Sequence, residues 1–349
     1  MLNRFVQSLA LVAVLFAVLL STATRTAALD ATERSQLIPS ICAALRTEYV
    51  YPDAASKLVD ALQVRAQRGD YESISEGDAL ATRLTADLRE VSRDRHLSVQ
   101  YHPEGAHTDP ENWSIEDSER SRGKAERDNF SFRKVERMDG NVGYLDFRGF
   151  YEPYLAASAM SAAMGLVART DALIIDLRQN RGGEPTGVAF LASFLFDTRT
   201  HLNDIFVRRG DRLEQYWTSQ LPPPVFGGKK PVYVLTSKAT FSAAEDFTYA
   251  LKNLKRAVVV GETTGGGAHP TREFQVTEHF AVGVPFARSL SPITHTDWEG
   301  TGVSPDIAVP ARDALRTAYR AALRQIIAST QDPEQKRSVE QLLKAPSVK

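Results

Sequence analysis

The stretch "TSKATFSAAEDF", residues 237 to 248, carries Ser242 where an apolar run gives way to a loop and then to a helical pattern. Glu245 follows three residues later, which is capping-box spacing, so the hydroxyl has an ordinary use as a helix cap. The same place has a chemical use. Backbone N–H groups and the positive dipole end at a helix N-terminus stabilise a developing oxyanion, so a serine there becomes a nucleophile when a base reaches it. No G-x-S-x-G surrounds it, and the nucleophile elbow of α/β-hydrolases is not indicated. Four other residues supply the remaining chemical types. His96 stands in "VSRDRHLSV", and Glu299 in "DWEGTGVSPDI". His269, in "GGGAHP", puts a second imidazole beside a flexible glycine loop, where it could line a substrate cleft. Gly183, with Gly182 before it in "LIIDLRQNRGGEPTG", could form a tight turn or aim a backbone N–H at an oxyanion. Each has an ordinary structural reading when taken alone, so only the combination carries information.

Other chemistries lack their signatures. The glycines do not spell G-x-G-x-x-G, "GETTGGGAH" lacks the G-K-[ST] of a P-loop, and no H-E-x-x-H occurs, so no metal or organic cofactor is expected. The single cysteine, Cys42, cannot form an intramolecular bridge. Its neighbours Ile41, Ala43 and Ala44 indicate a buried structural thiol rather than a nucleophile. Lys and Arg total 42 against 43 Asp and Glu, which leaves no electrostatic case for nucleic acid.

The elements that must position these residues follow from hydrophobic pattern. Arg4 precedes an apolar run from Leu9 to Leu20 and small residues at Ala23, Ala27 and Ala28, which reads as a signal peptide over residues 1–28. The run is short for a membrane span, so the chain is expected to be periplasmic or secreted, with an uncleaved anchor as the alternative. Residues 29–101 read as a small helical bundle. Asp30 and Glu33 have capping-box spacing, Leu37, Ile41 and Leu45 share a face with Pro39 in the first turns, Leu58, Leu62 and Val64 repeat the pattern, and Leu80, Leu84 and Leu88 close it. Residues 102–130 are polar and punctuated by Pro, Gly and Asn, as in a surface linker or long loop. Over residues 131–349, "NVGYLDF", "ALIIDL", "PVYVLTS" and "AVVV" alternate with helical stretches, and "ARDALRTAYRAALRQIIAST" closes the chain as a helix. Strands with intervening helices imply an α/β core with a largely parallel sheet.

Taken in order, "DLRQNRGG", "TSKATFSAAEDF", "VVVGETTGGGAHP" and "WEGTGVSPDI" resemble the serine peptidase family of C-terminal processing peptidases, tricorn core peptidases and interphotoreceptor retinoid-binding protein modules. "EYVYPDAASKL" and "DLREVSRDRHLSVQY" look most like the retinoid-binding-protein branch. The resemblance implies a ClpP/crotonase-like core sheet with flanking helices after the helical bundle. The Ser/Lys dyad of the processing peptidases would place its lysine where this chain has glycine, around Gly266. The tricorn-like set is instead matched by His96, Ser242 and Glu299. That match implies acyl transfer, with His96 as base, Ser242 as nucleophile, Glu299 orienting the imidazole, and the N–H groups of Gly183 and Ala243 as oxyanion hole. Polypeptide would be the substrate. Two departures stand out. Tricorn-like members carry a serine next to the histidine, where this chain has Arg95, with Ser92 and Ser98 as the nearby hydroxyls; and the gap after His96 is too short for a PDZ domain. The same branch implies an alternative, a module that binds a retinoid or other apolar ligand with little or no peptidase activity.

Overall fold

The computed structural model describes residues 29–106 and 115–344. The apolar run read as a leader lies outside them. Helices α1 (Ala31–Glu48), α2 (Pro52–Gln67) and α3 (Gly77–Ser92) form the expected bundle. Asp30 caps α1 by accepting from the N–H groups of Thr32 and Glu33, each at 3.0 Å. Pro39 lies well inside α1 rather than in its first turns. Leu80, Leu84 and Leu88 are buried as their spacing predicts, and each such burial is worth about 1.5–3 kcal/mol. Val64 departs from the pattern: it is 44% exposed, because Leu58 and Leu62 already cover the contact face of α2. Cys42 is buried and unpaired, as expected.

The bundle does not stand apart. Strand β1 (Ser98–Tyr101) leaves α3 and pairs antiparallel with β10 (Phe280–Pro285), which pairs with β9 (Thr271–Gln275). Phe280, Val282 and Val284 share a core with the bundle leucines, so the chain's first quarter is closed by a hairpin from its last third. This crossing brings His96, just before β1, to the residues around His269, just before β9.

The polar stretch read as a loop contains helix α4 (Ile115–Arg127), a correction to the linker reading. Its Glu, Arg, Lys and Ala content supports helix without an apolar stripe, which hydrophobic periodicity does not register. Residues 107–114 lie outside the described ones.

The core is a six-stranded sheet in the order β12-β8-β7-β4-β3-β2, comprising β2 (Phe132–Met138), β3 (Val142–Phe147), β4 (Ala172–Asp176), β7 (Val232–Thr236), β8 (Val258–Gly261) and β12 (Ile307–Ala308). All neighbours are parallel except β2, which pairs antiparallel at the edge. Helices α5 (Pro153–Val167), α6 (Pro185–Ser193) and α7 (Ala243–Asn253) cover one face through a core that includes Met160, Leu191 and Phe247. Helix α8 (Ala311–Ser329) covers the other with Ala314, Ala318 and Ala322, whose small side chains let it lie close. Helix α9 (Pro333–Lys344) follows it. A second three-stranded sheet, β11-β5-β6, is built from β5 (His201–Val207), β6 (Arg212–Trp217) and β11 (Ala287–Leu290). The mixed α/β architecture agrees with the sequence reading.

Candidate active site

Strand β7 ends at Thr236, and the loop after it delivers Ser242 to the N-terminus of α7 in an unusual backbone conformation, φ 53° and ψ −126°. A residue with a Cβ held there costs about 1–3 kcal/mol, so the surroundings must hold it. They do so from both sides. The Phe241 N–H donates to the Asn180 carbonyl at 3.1 Å, and the Ser242 N–H donates to Glu245 Oε2 at 2.9 Å. The Glu245 N–H goes to the Ser242 carbonyl oxygen at 2.7 Å. Gly182 makes the approach feasible, since a Cβ there would lie 2.7 Å from Ser242 Cβ. Gly183 is equally confined, because a Cβ on it would meet the Phe150 carbonyl oxygen at 2.0 Å.

The two expected oxyanion donors are available. Ala243 opens α7 and has no carbonyl four residues back within the helix, and the Gly183 N–H has no backbone acceptor among the described residues. Both residues line a cavity of 550 Å³ together with Ser242, His96, His269 and Trp298.

Glu245 does more than face a cap. It is fully buried, and it also accepts from Thr264 Oγ1 and from the N–H groups of Gly266 at 2.7 Å and Gly267 at 2.9 Å. One carboxylate thereby fixes the serine's helix to the glycine loop that leads to His269. Burial raises its pKa and these hydrogen bonds hold it down, with burial prevailing.

The two histidines meet at Asp94. Its Oδ1 accepts the His96 backbone N–H at 2.9 Å, and its Oδ2 accepts from His269 Nδ1 at 2.8 Å and from the Tyr49 hydroxyl at 3.2 Å. The His96 ring packs on Phe241, centroids 4.6 Å apart, and both of its nitrogens are buried without a hydrogen-bond partner among the described residues. Burial drives its pKa down to about 4, against the pull of Asp94, so the ring is neutral at pH 7. For His269 burial lowers the pKa too, but the hydrogen bond and charge of Asp94, aided by Glu299, outweigh it and leave the pKa raised. The bond to Asp94 holds the His269 proton on Nδ1 and leaves Nε2 buried and unpaired.

Glu299 contacts a different histidine from the one expected. Its Oε2 lies 3.5 Å from His269 Nδ1 and accepts the Ala268 N–H at 2.6 Å, and no contact with His96 is made. Glu299 follows Trp298, whose buried indole donates to the Gly267 carbonyl at 2.8 Å, so the turn that carries the carboxylate is anchored to the His269 loop. Burial raises the Glu299 pKa to about 7. Asp94, Glu299 and His269 Nδ1 lie within 4.8 Å of one another and could in principle hold a cation, but the Nδ1 proton already bridges to Asp94.

Arg95, which stands where a tricorn-like serine was expected, lies over the Phe241 ring at 5.1 Å and donates to the Gly265 carbonyl at 2.7 Å. Neither nearby hydroxyl replaces that serine: Ser92 Oγ is taken by the Leu88 carbonyl at 2.9 Å, and Ser98 lies on β1 opposite Gly283. Sequence reasoning missed Asp94 and Tyr49. The signal for Asp94 was its place two residues before His96, where an aspartate can accept the following backbone N–H as in an Asx turn.

Two family models match the chain. Residues 141–309 match peptidase family S41, and residues 19–126 match the N-terminal domain of Peptidase_S41 in eukaryotic IRBP. Carboxyl-terminal-processing peptidase 2, chloroplastic, of Arabidopsis thaliana is 33% identical over 172 residues, 48% of this chain and 32% of its own. The carboxy-terminal-processing protease of Bartonella bacilliformis is 28% identical over 186 residues, 50% of this chain and 40% of its own. The chain thus spans well under half the length of these relatives. A solved structure of a candidate peptidase from Parabacteroides merdae superposes with a TM-score of 0.58 at 19% identity, over 85% of this chain and 99% of that one, and shares its fold.

Proposed function

We propose, from the premise that residues 141–309 are a peptidase family S41 core, that this chain is a serine peptidase acting on polypeptides, with Ser242 as nucleophile. The observation that carries the proposal is the strained conformation of Ser242. A helix cap needs no such backbone, whereas a nucleophile presented beside two free N–H groups does.

In the mechanism, His96 accepts the Ser242 proton as Oγ attacks the substrate carbonyl. A neutral imidazole with no competing partner is ready to take that proton, and Asp94 Oδ1, 3.9 Å from His96 Nδ1, stabilises the imidazolium that results. The Gly183 and Ala243 N–H groups receive the oxyanion, each worth on the order of 3 kcal/mol. The imidazolium then gives its proton to the leaving amine, and water repeats the sequence on the acyl-enzyme. His269 and Glu299 act behind this pair, setting the charge that His96 experiences through Asp94.

The names of the similar proteins support processing at a carboxyl end as the biological task, and the leader-like first residues support export to the periplasm or beyond. No helix among the described residues is long and apolar enough to cross a membrane. Incubating the protein with unstructured polypeptides and reading fragments by mass spectrometry tests the activity. Cleavage abolished by Ser242→Ala is expected. Saturable binding of a fluorescent retinoid that survives Ser242→Ala, without any cleavage, would replace the reading with that of an apolar-ligand module.

A further inference from the structure

Arg181, immediately before the Gly182–Gly183 turn, is exposed, and its guanidinium has no hydrogen bond or ion pair among the described residues. Its position gives that freedom a consequence. The cavity holding Ser242 adjoins a second hollow of 750 Å³, since Gly183 and Glu184 line both. That second hollow adjoins a third of 560 Å³, since Arg148 and Arg181 line both. A path therefore runs from the serine over Gly183, past Tyr151 and Tyr154, to Arg181.

Charge is uneven along the path. The middle hollow is balanced in sign, with Glu152 and Glu184 against Arg148 and Arg181. The third hollow lies at the carboxyl ends of β3, β4 and β7 and has four arginines, Arg148, Arg178, Arg181 and Arg312, against two aspartates. Asp146 is taken by Arg148 at 3.1 Å, and Asp176 by Arg178 Nε at 2.9 Å. Among the described residues Arg312 has only Asp313, at 3.8 Å. Two positive charges are left without a close acceptor at the end of a groove that begins at the nucleophile.

We propose that Arg181, with Arg312 behind it, is a specificity site that binds a carboxylate of the polypeptide substrate near the scissile bond. The proposal rests on the serine-peptidase reading of Ser242. A guanidinium takes a carboxylate through two parallel hydrogen bonds, which gives direction as well as affinity. The carboxylate comes either from the chain's own carboxyl terminus or from an Asp or Glu side chain.

The test uses three fluorescein-labelled peptides of one sequence: amidated and neutral, with a free carboxyl terminus, and amidated with an internal Glu. Binding to the Ser242→Ala protein is read by anisotropy, so the outcome does not depend on turnover. At least one carboxylate peptide is expected to bind about 10- to 100-fold more tightly than the neutral one, an advantage that shrinks with salt. Arg181→Gln in the same background removes the advantage without changing the neutral peptide, and Arg181→Glu reverses it. Preference for the free terminus alone assigns the α-carboxylate, and preference for the internal Glu assigns the side chain. Equal affinities for all three peptides, or a preference that Arg181→Gln leaves intact, overturn the proposal. Circular dichroism of each variant excludes misfolding as the cause. Loss of the serine-peptidase reading appears separately, as absence of cleavage by the wild-type chain.

Discussion

His96 and His269 approach one carboxylate, Asp94, from opposite ends of the chain and meet opposite environments. His96 gives Asp94 only its backbone N–H, and its ring faces Phe241 and the cavity without a polar partner. His269 gives Asp94 its ring proton and has Glu299 alongside. The first imidazole is forced neutral by burial, and the second is kept basic by carboxylates. Two residues of one type, both largely hidden from water, thus differ in what their nitrogens touch. A free ring can exchange a proton with a new partner, whereas a clamped ring keeps its Nδ1 on Asp94.

Substitutions can break this contrast. His96→Ala is expected to lower kcat/KM on the order of 10⁴-fold, as removal of a triad base does. His269→Ala should lower it by about 10²-fold or less, because the base survives and only its electrostatic setting is lost. A ranking in the reverse order would make His269 the base, with Asp94 as its orienting carboxylate. Asp94→Asn touches both rings. It should combine a rate loss of about 10²- to 10³-fold with destabilisation of about 1–3 kcal/mol, read from chemical denaturation, because a buried acceptor of three hydrogen bonds is weakened.

A pH profile sharpens the contrast further. Glu299 is protonated below its pKa of about 7 and ionised above it, and the added negative charge favours imidazolium formation. The rate should therefore rise about tenfold as pH increases through 7, and Glu299→Gln should remove that limb. A limb near 7 that persists in Glu299→Gln would assign it to another group. The smallest effect concerns an acid on the same cavity that is tied to neither ring. Asp246 is buried, and desolvation raises its pKa to about 7. A carboxyl raised on folding contributes stability at low pH that is lost as pH rises toward the folded value. Asp246→Asn should accordingly raise Tm more at pH 8 than at pH 5, with little change in the ratio of the two histidine variants.

Much of this was legible before the fold was known. Ser242 at a strand-to-helix junction, the alternation of core strands and helices, and the bundle leucines all rest on local pattern, which survives folding. The strands β5 and β6 were not legible, because buried polar residues such as Asn203 and Asp204 interrupt the apolar signal of β5 and leave no clean alternation. Helix α4 was hidden by its charge. The pairing of Asp94 with His269 joins positions 175 residues apart, and that of Asp94 with Tyr49 joins positions 45 apart. Such contacts arise from the pairing of β1 with β10, which spacing along the chain does not encode. The family's motifs led to a Glu299–His96 contact for the same reason: they name residues without saying which imidazole each carboxylate reaches.

The most direct measurement is fluorophosphonate labelling of the protein with intact-mass readout, comparing wild type with Ser242→Ala, His96→Ala and His269→Ala. One adduct on the wild type, none on Ser242→Ala, near-complete loss of labelling rate in His96→Ala and partial loss in His269→Ala is the predicted result. A folded wild type that takes no label, or a His96→Ala protein that labels as fast as wild type, would contradict the account.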